Sequence, residues 1–228
     1  MADTYKNDYI APILVVDSVI FQLANDGLTV LLIQRAKEPF KGSWALPGGY
    51  NPAGETTLEA LERVTFNKTG VKTSELSLIE QLYTFDTIAR DPRGHAVSVT
   101  YLGLGRNITM NTATSNQNPK FHYLSKLPEL AYDHESIISY AHERLKSKVT
   151  YTNAVFALLP ELFTLTQLQN AYEAIFGHKL DKRNFRKKFL SLNLIRPTEE
   201  FAKEGAHRPA QLFRFNQQKL QTLIRNFE

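Results

Sequence analysis

Gly48-Gly49-Tyr50-Asn51-Pro52-Ala53-Gly54-Glu55, followed by Arg63 and then by Gly70-Val71, is the stretch of this 228-residue chain that decides its fold. Ahead of it, Leu28-Thr29-Val30-Leu31-Leu32-Ile33 is an apolar, β-branched run that predicts a largely buried strand. Trp44-Ala45-Leu46-Pro47 leads into a glycine turn, and a helix is expected to start near Glu55. On that helix Val64, Asn67 and Lys68 are spaced i, i+3 and i+4, so they share one face. The face offers a methyl-bearing side chain, an amide and an ammonium. At roughly 100° per residue, Glu59 and Glu62 point to the far side of the helix from residue 64.

Strand, loop and helix in this order, with Gly49, Glu55, Arg63, Gly70 and Val71 at their spacing, resemble a Nudix box. That box reads G-x5-E-x7-R-E-U-x-E-E-x-G-U, where U is a bulky aliphatic residue. It has Glu where this chain has Val64, Asn67 and Lys68, and U where this chain has Thr65. The three Glu hold Mg2+, which polarises a pyrophosphate and activates water. Lys68 opposes a divalent cation at the same spot, by on the order of several kcal/mol in a partly buried cleft. The resemblance therefore implies the scaffold of a nucleoside-diphosphate hydrolase without its metal site. No catalytic residue, no metal and no cofactor are expected; the cleft should bind a nucleotide and hydrolyse it poorly or not at all.

Bulk properties narrow the class. The length allows one large or two modest domains. With no Cys there is no disulfide, thiolate nucleophile or Cys-based zinc site, which fits a reducing, cytoplasmic setting. The polar start Met1-Ala2-Asp3-Thr4-Tyr5-Lys6 lacks an apolar signal core, and no apolar run is long enough to span a bilayer, so no membrane partner is expected. Charge is uneven. Residues 1–150 hold 15 Lys and Arg against 16 Asp and Glu, whereas residues 151–228 hold 12 against 7. The basic excess sits in the last third and points to an anionic partner there.

The fold class read from the pattern is α+β. Strands are expected over Ile13–Phe21, Leu28–Ile33, Leu76–Phe85 and Val97–Leu104. Asp26-Gly27 is expected to make a hairpin turn and Asp91-Pro92-Arg93-Gly94 another turn. Asp133 is expected to cap a helix running to about Lys148, with Ile137, Ile138, Ala141 and Leu145 inward. The Nudix resemblance implies that these elements form an α/β/α sandwich with a mixed sheet. The domain division is placed at residues 1–149 and 150–228.

In the second unit Asn153–Leu159 is helix-like and Pro160 ends it. Thr164-Leu165-Thr166-Gln167 has the form of a capping box, with a helix to Phe176 and Gly177 as its cap. Asp181 caps a third helix, Lys182–Leu192, which Asn193 stops. Leu194-Ile195 and Gln211–Phe215 read as two short strands flanking Thr198–Pro209. Three helices and a two-stranded wing make a winged helix-turn-helix. On the third helix Phe185, Phe189 and Leu192 form the inner stripe. Arg183, Arg186 and Lys187 face away, with Lys182 and Lys188 at the margins and Asn184 near the start. An isolated basic helix is usually a solvated face. As the third helix of such a unit it is the one that enters the major groove, so these residues, with Lys179 and the wing residues His207 and Arg208, are the DNA-binding candidates.

In the cleft, Arg35 at a strand end suits a phosphate, and Phe40 or Trp44 could stack on a base. Tyr83, Arg90, Asp91 and Arg93 are candidates to close the pocket; the alternative for Trp44 and Tyr83 is that they are core aromatics. With Gly48, Gly49 and Glu55 of the box these complete the ligand-site candidates. Arg63 is expected to form a buried salt bridge, with Glu55 as its partner. His134-Glu135 lacks the second His of H-E-x-x-H, so no zinc site is expected.

A degenerate Nudix domain followed by a basic winged helix resembles the Nudix-related transcriptional regulators of NAD metabolism. The resemblance is carried by Trp44–Gly49, Thr84-Phe85, Arg90–Arg93, Leu180-Asp181-Lys182-Arg183-Asn184-Phe185-Arg186 and Arg208-Pro209-Ala210. It implies a homodimeric bacterial repressor that reads a palindromic operator in double-stranded DNA and senses ADP-ribose or a related nucleotide. Two other readings stay open at this point. One is an active ADP-ribose pyrophosphatase using carboxylates such as Glu80 or Asp133. The other is a nucleotide-binding module whose basic tail binds RNA or protein; a sugar-sensing regulator is a variant of the first reading.

Overall fold

The computed structural model describes residues 11–25, 27–111, 117–202 and 209–223. Its larger sheet is built from β1 (Ile13–Ala24), β2 (Gly27–Gln34), β3 (Trp44–Ala45), β4 (Gly48–Tyr50), β5 (Leu78–Phe85), β6 (Ala96–Leu104) and β7 (Lys120–Tyr123). The main path runs β3-β2-β1-β6-β5, with β4 also on β1 and β7 also on β2. β1 and β6 are parallel from Ile13 to Phe21, while β1–β2 and β5–β6 are antiparallel, so the sheet is mixed. The first hairpin turns one residue earlier than expected. Ala24 pairs Gly27, which leaves Asn25, with φ 48°, as the first turn residue. Its companion Asp26 lies outside the described residues.

Helix α1 (Thr57–Thr69) covers one sheet face, where Ala60, Leu61 and Val64 pack with Val16 and Tyr101. Helix α2 (His134–Tyr151) covers the other, its Ile137, Ile138, Ala141 and Leu145 packing with Val19, Phe21, Val30 and Leu102. The alternation of β1 residues between faces is what lets one apolar strand serve both helices. Thr56 and Glu59 form a capping box that starts α1 just after Glu55. Gly70 ends it at φ 73°, where a Cβ would lie 2.5 Å from the Asn111 nitrogen. Asp133 precedes α2, but its carboxylate makes no cap bond, because both oxygens are taken by Arg90.

The second unit contains α3 (Leu165–Phe176) and α4 (Lys182–Ser191), with a three-stranded sheet of β8 (Phe163–Thr164), β9 (Ile195–Ala202) and β10 (Ala210–Phe215) in the order β8-β10-β9. Thr164 and Gln167 make the expected capping box, and Gly177 closes α3 at φ 77°. Asp181 accepts from the Asn184 N–H at 2.8 Å, and Asn193 is left-handed at φ 51°. Four expectations need correction. Residues 154–158 form a 3-10 turn rather than an α-helix, packed entirely inside. The wing gains a third strand, too short to show a pattern. β9 runs on to Ala202, so part of the polar segment is strand. Leu192 is 39% exposed, since α4 ends before the stripe completes another turn; Phe189 alone of the stripe is fully buried.

The two units share one apolar core, in which Leu28 and Val30 join Phe163, Leu168 and Ile175. Arg106 donates to the Leu159 carbonyl at 2.7 Å across the same junction. Among the described residues no helix is long and apolar enough to cross a membrane.

Candidate functional site

A cleft of about 540 Å3 opens between β1, β4, α1 and the loop joining β5 to β6. Arg35, Gly48, Gly49, Arg90 and Asp91 line it, as do Arg93, Arg63, Val64, Asn67 and Lys68. The face predicted from helical spacing is thus a wall of the cleft, and Glu59 and Glu62 are not on it. Val64 packs under Gly49, whose absent side chain is what admits it: a Cβ there would sit 3.1 Å from a Val64 methyl. Lys68 donates to the Gly48 carbonyl, which ties α1 to β4. Burial lowers the Lys68 pKa; Asp17 opposes that and Arg35 adds to it.

Most cations here already have partners. Arg63 holds Glu55 through both carboxylate oxygens, at 2.7 to 3.1 Å, and donates to the Tyr50 carbonyl. The Arg63–Glu55 bridge forms as expected, but its side chains are 40% and 28% exposed rather than buried, because it lies along the lip of the cleft. This pairing, first through the Arg63 hydrogen bond, lowers the Glu55 pKa. Arg90 is buried and bidentate to Asp133 at 2.9 Å, with Asp17 at 3.6 Å. Asp91 grips Arg93, whose exposed guanidinium lies beside Tyr50 and Tyr132. Arg35 donates to the Pro39 carbonyl at 2.7 Å and lies 4.7 Å over the Tyr132 ring.

Three candidates lie off the cleft walls. Glu55 stands behind Arg63. Phe40 is edge-on to Tyr132 at 4.8 Å, one layer away. Tyr83 packs on Phe85 and Tyr140 at 5.4 and 5.2 Å, outside the cleft. β5 turns Tyr83 toward α2, which places it too far round the sheet edge to close the pocket. Trp44 is edge-on to His122 at 4.3 Å and packs against the core, so it belongs to the core aromatics.

Sequence reasoning missed Asp17, Tyr132 and His134. Asp17 is 4% exposed and accepts from the Ser98 hydroxyl at 2.6 Å. The signal was present: it is the one charged residue in the run Ile13–Phe21. His134 accepts the Leu46 N–H at Nδ1, so that nitrogen carries no proton, and full burial holds its pKa down. Among the described residues no group of three or more His, Cys, Asp or Glu could hold a metal ion.

On the second unit Lys182, Arg183, Asn184, Lys187 and Lys188 are exposed along α4. Arg186 differs: it is half-buried and donates to the Thr166 hydroxyl at 3.0 Å. Lys179 pairs with Glu173 at 2.8 Å. His207 and Arg208 lie outside the described residues.

Fold and cleft together define a Nudix domain carrying a winged helix. The NUDIX domain pattern matches residues 14–140, and the NrtR DNA-binding winged helix domain pattern matches residues 155–215. The chain belongs to the NrtR family of Nudix-related transcriptional regulators. It is 36% identical over 221 residues to the ADPR responsive transcriptional repressor NtrR of Acinetobacter baylyi, covering 94% of this chain and 86% of that one. It is also 36% identical over 130 residues to an ADP-ribose pyrophosphatase of Methanocaldococcus jannaschii, covering 57% and 73%. Shewanella oneidensis NrtR, solved with a 27mer DNA, matches at 32% identity and a TM-score of 0.74 over 89% of this chain and 93% of that one. The NUDIX domain of that protein, solved with ADP ribose, matches at 35% identity and a TM-score of 0.53 over 61% and 94%.

Proposed function

We propose that this protein is a transcriptional repressor whose 150–228 unit binds an operator in duplex DNA and whose 1–149 unit senses ADP-ribose without hydrolysing it. The observation that carries this is the cleft wall of α1, which presents a valine, an amide and an ammonium and no carboxylate. The exposed cations of α4 supply the DNA face. Two copies related by a two-fold axis would read a palindromic operator. The A. baylyi relative is named as ADPR responsive and the S. oneidensis relative has been solved with DNA, which supports both halves.

The pyrophosphatase reading finds no support in the carboxylates held in reserve for it. Asp133 is bound to Arg90, and Glu80 pairs with Lys148 at 2.8 Å away from the cleft.

Helix α2 joins sensor to reader. Its start sits at the cleft through Asp133 and His134. Farther along, His142 Nε2–H donates to the Ile175 carbonyl at 2.7 Å, and the Val149 carbonyl accepts from the Tyr172 hydroxyl at 3.3 Å. A ligand that draws Arg90 from Asp133 shifts α2 and, with it, α3. Coupling of about 1–3 kcal/mol is enough for a roughly 5- to 150-fold change in DNA affinity. Fluorescence anisotropy with the duplex upstream of the protein's own operon, at fixed salt, tests this. Tight binding reversed by ADP-ribose is expected; binding no tighter than to a scrambled duplex would refute it.

A further inference from the structure

We propose that Lys68 takes the place of a divalent cation, so that the cleft binds the diphosphate of a nucleoside-diphosphate ligand without metal. The inference rests on the nucleotide-sensing reading above. A diphosphate entering a cleft partly withdrawn from water needs a positive partner at its centre. The guanidiniums around it are engaged by Glu55, Asp133, Asp91 and backbone carbonyls. Of the two cations on the α1 wall, Arg63 is held by Glu55, whereas Lys68 has, among the described residues, only the Gly48 carbonyl and stands at the position where the Nudix box places a metal-binding carboxylate.

Its geometry suits the task. The bond to the Gly48 carbonyl holds the ammonium against β4, where a long flexible side chain would otherwise sweep through solvent. That bond uses one of three N–H donors and leaves two for phosphate oxygens. Asp17, which lies across the strand pair from Gly48, already accepts from Ser98 and faces Arg90, so it is not waiting for a metal. Burial makes the unliganded ammonium costly, and an arriving anion removes that cost. Asn67 beside it is neutral and can donate to the same group.

The test is calorimetric titration of the full-length protein with ADP-ribose, in EDTA and in Mg2+. Wild-type affinity is expected to agree within about twofold between the two conditions. Lys68→Met should weaken binding by about 10- to 100-fold, as for a lost charged hydrogen bond, and Lys68→Arg should keep most of it. The double variant Asn67→Glu with Lys68→Glu should bind poorly in EDTA and regain affinity in Mg2+. Wild-type binding that requires Mg2+, or Lys68→Met binding like wild type, overturns the inference while leaving the sensor intact. No binding in either condition overturns the sensor and the inference together. Should Lys68→Met fail to fold by circular dichroism, the metal dependence of the wild type decides alone.

Discussion

The ligand cleft and helix α4 are both rich in cations, but they hold them in opposite ways. In the cleft Arg63, Arg90 and Arg93 are each locked to a carboxylate, and Arg35 is bound by a backbone carbonyl. On α4, Lys182, Arg183, Lys187 and Lys188 are exposed, with no carboxylate partner among the described residues. The first arrangement fixes geometry and makes a ligand compete for each guanidinium, which favours selectivity. The second leaves charge free to replace counterions along a phosphate backbone, which favours affinity that falls with salt.

Removing charge on α4 should therefore cost function and spare stability. Arg183→Ala with Lys187→Ala is expected to weaken operator binding about 100-fold and to lower the salt slope by about 2. The thermal midpoint should stay within about 1 °C, since exposed substitutions of this kind rarely exceed a few tenths of a kcal/mol. An unchanged slope would break the comparison. Arg186 is a poorer choice, because its bond to Thr166 mixes a packing loss into the result.

The cleft should respond the other way. Asp133→Asn removes the bidentate partner of the buried Arg90, leaving Asp17 at 3.6 Å and the neighbouring Asp91, and should cost about 3 kcal/mol in urea unfolding. A loss below about 0.5 kcal/mol would mean that Arg90 is solvated and the locked-cation picture is wrong.

A smaller effect tests the turn between the helices. Glu173 accepts from Lys179, the Leu180 N–H and Gln169, which pushes its pKa from 4.5 down to about 2, Lys179 being the largest cause. Because the folded carboxylate gives up its proton more readily than the unfolded one, this contribution is complete above about 4.5 and is lost as pH falls toward 2. Glu173→Gln should flatten that part of the stability profile; an unchanged acid limb would contradict the assignment. The smallest effect is expected from Tyr83→Ala, which lies off the cleft. ADP-ribose affinity should not change, and a tenfold loss would return Tyr83 to the site.

Local chemistry was legible in the sequence and convergence was not. Thr164, Gly177, Asp181 and Asn193 mark helix ends by what their own backbones require, so those boundaries read directly. The shared face of Val64, Asn67 and Lys68 follows from helical spacing alone. Asp17, Tyr132 and His134 meet only because the sheet brings β1 beside the start of α2, over more than a hundred residues of separation that no periodicity reports. Tyr83 shows the converse: an aromatic on a strand near the cleft in sequence is turned by the pleat onto α2. β8 was missed because two residues carry no alternation, and Leu192 because a stripe says nothing of where its helix stops.

The most direct single measurement follows one sample in two ways. ADP-ribose and Mg2+ are added to the preformed protein–operator complex, and anisotropy and AMP release are recorded together. A sensor that does not hydrolyse its ligand releases the DNA and keeps it released, with no AMP formed. Anisotropy that recovers as AMP accumulates would show that the cleft turns its ligand over, and would contradict the loss of catalysis read from residues 64, 67 and 68.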